Sequence, residues 1–234
     1  MNYQLHPLGD QAIIIDFGNE INEVTHQSVQ TVATLLDEHP PEWMIEYIPA
    51  FTTVTLFYNL MKIPLHSKST FPYSIICEKI KILLSNIPSI KQSKPRIVEI
   101  PVCYGGEFGP DLEEVAKYNR LTTEEVMTLH ANGEYLVYMI GFAPGFPYIG
   151  GMNKRIATPR KATPRLKIPE GSVGIAGNQT GVYPIETPGG WQLIGKTPLK
   201  LFRPYEENPS LLMAGDQIKF KPITLEEYME MEAT

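Results

Sequence analysis

Two helical periodicities and three strand-like runs organise the first part of the chain. Residues 11–17, Gln-Ala-Ile-Ile-Ile-Asp-Phe, centre on an apolar run and predict a buried strand. Over 22–38 the spacing turns helical, with Val24, Val32, Leu35 and Leu36 on one face and Pro40-Pro41 as the stop. Residues 44–48 and 52–58 are β-branched and aromatic and predict two strands. A second helix is predicted over 73–86, with Ile76, Ile80, Leu83 and Leu84 along one side. The order β-α-β-β-α, with room for a closing strand, predicts a small ferredoxin-like α/β domain over 1–88.

Residues 89–96 belong to a stretch rich in proline, serine and basic side chains and predict a linker. The second domain, 97–234, begins with a strand at 97–103, broken by Gly105-Gly106. Asp111 is placed to cap a helix running to about Tyr118, and Thr122-Thr-Glu-Glu125 has capping-box spacing before another. Tyr135 to Phe142 reads as an apolar strand, and short strands are predicted at 172–176, 182–186, 191–195, 198–203 and 217–221. Even spacing with Gly/Pro turns predicts a closed β-barrel, so the fold class is α+β. The acidic segment from Leu225 reads as a frayed helix.

Composition narrows the function. The 18 glycines and 21 prolines, concentrated after Gly105, support the turn-rich reading of the second half. A net charge of -6 argues against nucleic acid as a partner. No run reaches the ~18 apolar residues of a membrane span, and no leader is evident, so the expected location is cytoplasmic. Cys77 and Cys103 have no zinc spacing and read as thiols in a reducing compartment.

Several constellations can carry chemistry. In Gly141-Phe-Ala-Pro-Gly-Phe-Pro-Tyr148 the aromatics alternate with turn formers, so Phe142, Phe146 and Tyr148 would wall a pocket. The tandem Ala-Thr-Pro-Arg repeat holds Arg160 and Arg165 in extended chain, and six basic residues with no acidic one lie between Lys154 and Lys167. Two spaced guanidiniums suit a carboxylate or phosphate, although a solvated basic loop has the same composition. The glycines of 171–181, Gly177 among them, would leave backbone N–H groups for an oxyanion, or else form tight turns around one strand. Gly190 to Thr197 matches the phosphate-loop pattern letter for letter, but its intervening residues are bulky and Pro198 forbids the required helix, so the match is rejected. No histidine follows His130, which excludes a Ser-His-Asp site built on the later barrel strands. His130 itself ends a short helix and is placed to reach the 141–148 loop.

These segments resemble a known family. Val98 to Leu112, Leu129-His130, Tyr138 to Gly151, the Ala-Thr-Pro-Arg repeat, Gly171 to Gly177 and Thr187 to Pro198 are similar to the PxpB/KipI family of 5-oxoprolinase subunits, also called allophanate hydrolase subunit 1-like. The resemblance covers most of the chain and is densest from Glu99 to Phe220. It implies a cyclophilin-like β-barrel, without implying prolyl isomerisation. It implies assembly with a PxpC-type (KipA-like) and a PxpA-type subunit that together cleave 5-oxoproline to L-glutamate with ATP, and an isolated chain that is inactive. A second family role is inhibition of a sporulation histidine kinase, and a third is an allophanate hydrolase component. Read with the resemblance, the expected catalytic residues are His130, Arg160 and Arg165. The expected substrate contacts are Phe142, Phe146, Gly177, Gln179, Gly189, Gly190 and Trp191. ATP is expected to be shared with a partner subunit, with magnesium for which this chain offers no ligand.

Overall fold

The structure, a computed structural model, describes residues 1–64, 71–85 and 95–233. The chain divides into two compact units, Met1–Lys94 and Pro95–Thr234. Most of the predicted linker, and His66, lie outside the described residues.

The first unit holds β1 (Gln4–Leu8), β2 (Ala12–Asp16), α1 (Glu23–Glu38), β3 (Met44–Pro49), β4 (Thr53–Tyr58) and α2 (Pro72–Ser85). Its sheet runs β1-β2-β4-β3, antiparallel at every pairing. β4 therefore inserts between the two strands that α1 connects, a split βαβ arrangement. The sheet's fourth position is taken by β1, which hairpin-pairs with β2 and was not foreseen. Its mostly exposed residues give little alternation to read. Ile13, Ile15, Val54 and Leu56 on the sheet pack with Val29, Val32 and Leu36 of α1 and Ile76, Ile80 and Leu84 of α2. Val24 does not join that face; it is exposed in the first turn of α1. Pro72 opens α2, where a missing N–H costs nothing.

The second unit is a closed seven-stranded barrel. Its elements are β5 (Ile97–Tyr104), α3 (Leu112–Asn119), α4 (Thr123–Ala131), β6 (Tyr135–Ile140), β7 (Pro147–Gly150), β8 (Arg165–Ile168), β9 (Ser172–Ala176), β10 (Gln179–Val182), β11 (Thr187–Gly189), β12 (Gln192–Lys196), β13 (Gln217–Pro222) and α5 (Leu225–Glu232). The barrel order is β10-β7-β6-β13-β5-β12-β9, while β8 and β11 form a separate two-stranded ribbon. Only the β13–β5 contact is parallel among the named pairings. Closure leaves the barrel without open edges. Its interior holds Ile100, Val102, Val137, Val173, Ile175, Ile194 and Phe220.

Three predicted elements differ. The strand expected at 182–186 lies earlier, at 179–182, because Pro184 has no N–H for the ladder. The strand expected at 198–203 is a turn region, bounded by Pro198 and Pro204, that keeps one isolated bridge, Phe202 to Ser210. Arg96, assigned to the linker, is part of the second unit: its Nε donates to Asp216 at 2.9 Å and its carbonyl accepts from the Gln217 N–H. The acidic tail helix is anchored, with a capping box at Thr224 and Tyr228 buried against Phe108.

Candidate aromatic and cationic site on the barrel

The region of interest lies where the 141–148 loop, the Ala-Thr-Pro-Arg segment and the β8–β11 ribbon cover one side of the barrel. Phe146, Ile168, Ala176, Tyr183, Trp191 and Leu193 form a small core of their own, distinct from the barrel interior. The Phe146 ring meets Tyr183 at 5.8 Å and Trp191 at 6.0 Å, both edge to face. Gly189 has no Cβ because Tyr183 fills that space: an added Cβ would lie 2.5 Å from the phenol oxygen. Gly181 likewise faces the Trp191 and Phe146 rings. Sequence reasoning assigned substrate contact to Phe146, Gly189 and Trp191, and the structure brings these three together. It missed Tyr183, whose only signal was a bulky ring inside a Gly/Pro-rich segment.

The cations around this core are not equivalent. Asp111 sits at the N-terminus of α3 but makes no side-chain cap hydrogen bond, contrary to its expected role. Its buried carboxylate instead accepts from Arg165 at 2.7 Å, Lys161 at 3.0 Å and the Leu193 N–H at 2.7 Å. Burial alone would raise this carboxyl. The hydrogen bonds from Arg165, the Leu193 N–H and Lys161 outweigh it and hold the group below its ordinary value. Arg165 also reaches the Trp191 carbonyl at 3.4 Å. Arg165 and Lys161 are thus engaged by an internal carboxylate and are not a free anion site. The sequence could not show this, because Arg165 and Asp111 are 54 positions apart. Arg160 is exposed and makes no ion pair among the described residues. Burial pushes the Tyr183 phenol up to about 12, and the Arg160 and Arg165 charges both pull against it.

The glycine loop does not offer free amides. Gly177 donates its N–H to the Thr158 carbonyl at 2.7 Å, and Gly171 donates to the Tyr183 carbonyl at 2.8 Å. Gly177 and Asn178 form the two-residue turn between β9 and β10, with Gly177 at φ +59, and Gln179 is half-buried at the start of β10. The oxyanion role expected for Gly177 is therefore not supported, and Gln179 is a strand residue outside the aromatic core. The Gly190 carbonyl accepts from the Lys161 N–H at 2.7 Å and tethers the basic segment to the barrel.

His130 is in the wrong place for chemistry at this site. It is fully buried, ringed by Phe220 and Tyr135 at 4.5 and 5.6 Å. Its Nε2 lies 2.8 Å from the Thr180 hydroxyl, which donates its own proton to the Gly174 carbonyl at 3.0 Å. Nε2 must then carry the ring hydrogen, and Nδ1 accepts from the Tyr104 hydroxyl at 2.7 Å. Burial lowers its pKa to about 3, so it is a neutral core histidine whose nitrogens are both occupied.

Phe142 also departs from expectation. Instead of walling a pocket it is 70 % exposed, touching the cluster only edge-on through Phe146 at 5.3 Å. Its φ of +67 is unusual for a bulky side chain. The Ala143 N–H donates to the Gly141 carbonyl at 2.8 Å, closing a positive-φ γ-turn around Phe142, a conformation that costs about 1–3 kcal/mol. Ala143 to Phe146 then forms a β-turn with Pro144 and Gly145 at its centre, and Gly145 takes φ +77 as a type II turn requires.

A closed barrel bearing this elaborated flank is the architecture of a known class. Residues 3–212 match the family model described as carboxyltransferase domain, subdomain C and D, and the chain belongs to that family. Among its relatives, a 5-oxoprolinase subunit of Bacillus subtilis (strain 168) is 56% identical over 97% of this chain and 96% of its own length. A crystal structure of PH0987 from Pyrococcus horikoshii is 43% identical, covering 96% of this chain and all of that one, with a TM-score of 0.56. The crystal structure of TTHA0988 is 33% identical over 91% of this chain, with a TM-score of 0.77, and this chain spans only 40% of that longer polypeptide.

Proposed function

We propose that the chain is the PxpB-type subunit of a 5-oxoprolinase, working with PxpA- and PxpC-type subunits that cleave 5-oxo-L-proline to L-glutamate with ATP hydrolysis. The observation that carries this reading is the 56% identity to a 5-oxoprolinase subunit across nearly the whole of both chains. The geometry supports an incomplete site. A lactam needs positive charge at its oxygen as the ring opens. Arg160 is the guanidinium left available for that, on a segment tethered beside the buried Phe146–Tyr183–Trp191 core. Arg165 and Lys161 act one step removed, fixing the segment that carries Arg160 through Asp111.

Among the described residues, Gly171 and Gly177 spend their amides on backbone carbonyls, no helix follows Gly195-Lys196-Thr197, and no group of three His, Cys, Asp or Glu side chains is placed to hold a metal. In this reading ATP is shared with a partner subunit, magnesium accompanies it without a ligand identified in this chain, and the isolated chain is inactive. The N-terminal unit is read as a ferredoxin-like variant with β1 in the closing position, and the barrel as cyclophilin-like. Among the described residues no helix is long and apolar enough to cross a membrane, and the unpaired Cys77 and Cys103 fit a reducing compartment. We place the assembly in the cytoplasm.

The test is reconstitution with both partner subunits and measurement of ATP-dependent glutamate release. Arg160→Ala should lower kcat/KM by about 10²-fold, and Arg160→Lys should recover part of it. An unchanged rate in Arg160→Ala removes the anion role. No glutamate release by the wild-type assembly removes the 5-oxoprolinase reading itself.

A further inference from the structure

The 141–146 loop is built to hold one large ring in solvent. Gly141 to Phe146 is closed by three internal hydrogen bonds, the Gly141 N–H to the Phe146 carbonyl at 3.0 Å being the outermost. A loop tied in this way keeps Phe142 in the left-handed region whether or not anything covers it. Arg120, the other non-glycine residue at positive φ among the described residues, ends α3, where that conformation is an ordinary helix stop. Phe142 ends no helix, and its exposed ring gains little in the chain alone.

A second exposed aromatic is mounted beside it. An added Cβ on Gly145 would lie 3.0 Å from the Phe202 Cβ and 3.1 Å from the Leu201 carbonyl, so the 141–146 loop rests on the 201–202 segment. That segment opens a second tight loop, closed by the Arg203 N–H on the Pro209 carbonyl at 2.7 Å and by the Phe202–Ser210 bridge. At its outer part Tyr205 is completely exposed. Two hydrogen-bonded loops in contact at their bases thus each present one uncovered aromatic side chain. Rigid aromatics of this kind are what energetic centres of protein interfaces are made of.

We infer that Phe142 and Tyr205 are the anchors by which this chain docks onto a companion polypeptide, one presenting apolar recesses to receive the two rings. The occupant is argued from length. In TTHA0988, at 33% identity, the equivalent of this chain is only 40% of one continuous polypeptide. The Bacillus subtilis relative, by contrast, is matched over 96% of its own length. In the proposed role the remainder arrives as a separate chain, and a tether replaced by a surface needs anchors. The inference rests on the proposed subunit role and adds the face through which that role is exercised. Phe142 is accordingly a docking residue and not a wall of the substrate site.

The experiment is titration calorimetry of the full chain against its purified companion PxpC-type subunit, for wild type, Phe142→Ala, Phe142→Gly and Tyr205→Ala. Each alanine variant should weaken Kd by about 30-fold, the loss typical of an aromatic hot spot. Phe142→Gly should weaken it equally, yet raise the melting temperature of the isolated chain by about 2–4 °C, because glycine adopts φ +67 without strain. Wild-type affinity in the Phe142→Ala and Tyr205→Ala variants overturns the docking assignment while leaving the subunit reading intact. A wild-type chain that binds no companion overturns both. Concentration-dependent self-association of the isolated chain, lost on the same substitutions, assigns the face to a second copy and overturns the companion.

Discussion

His130 and Asp111 show how far a single residue's meaning depends on what lies across the fold. As a helix-terminal histidine ahead of a glycine-rich loop, His130 reads as a reagent. In the barrel its ring is an element of packing, with Tyr104 and Thr180 holding the two nitrogens. Because its folded pKa is about 3 against about 6.5 in an unfolded chain, the neutral ring stabilises the fold above pH 6.5. That contribution is lost as pH falls from there toward 3, since the unfolded chain takes up the proton first. His130→Phe should remove this increment of acid sensitivity and leave the Tyr104 hydroxyl buried without its acceptor, at a cost of about 2–3 kcal/mol at neutral pH. Urea titrations of wild type and variant at pH 7 and pH 5 check both effects. A variant as stable as wild type but devoid of glutamate release would return His130 to the catalytic list. Asp111 makes the complementary point. Its position before Leu112 suggests a helix cap, but three donors from distant segments take the carboxylate instead. A local cap bond offers one N–H; two cations and a backbone amide offer more.

At the scale of elements, local chemistry was legible wherever it did not need a distant partner. The capping box at Thr122 forms as its spacing predicts, with reciprocal bonds of 2.8 and 3.1 Å between Thr122 and Glu125. α4 presents His130 to the barrel, so its first turn supports that packing. Thr122→Ala should cost about 1 kcal/mol, read as a lower urea midpoint with unchanged slope. An unaltered midpoint would show that the exposed cap contributes nothing. The elements that escaped sequence reading are short or exposed: β1, β7, β8 and β11 have 5, 4, 4 and 3 residues. Such segments are strands because a neighbour's backbone is in reach, and too few residues remain to show an alternation.

At the scale of the whole molecule, each unit closes its own core. Among the described residues, the interior of the barrel unit draws only on residues from Val98 onward, and that of the first unit only on residues up to Leu84. A fragment comprising residues 95–234 should therefore fold alone, giving a single cooperative thermal transition and a retained near-ultraviolet circular dichroism signal. A broad transition without that signal would mean the barrel needs the first unit. The sequence by itself determined the helices, the longer strands, the turn-rich closed barrel and the family, because periodicity, caps and long motifs are written in neighbouring residues. Only the tertiary structure decided which of the named side chains are free to act. It spent Arg165 on Asp111, buried His130, used up the amide of Gly177, left Arg160 open and turned Phe142 outward. Each of those outcomes is a competition between donors and acceptors brought together from far along the chain, and spacing along a sequence does not record who wins.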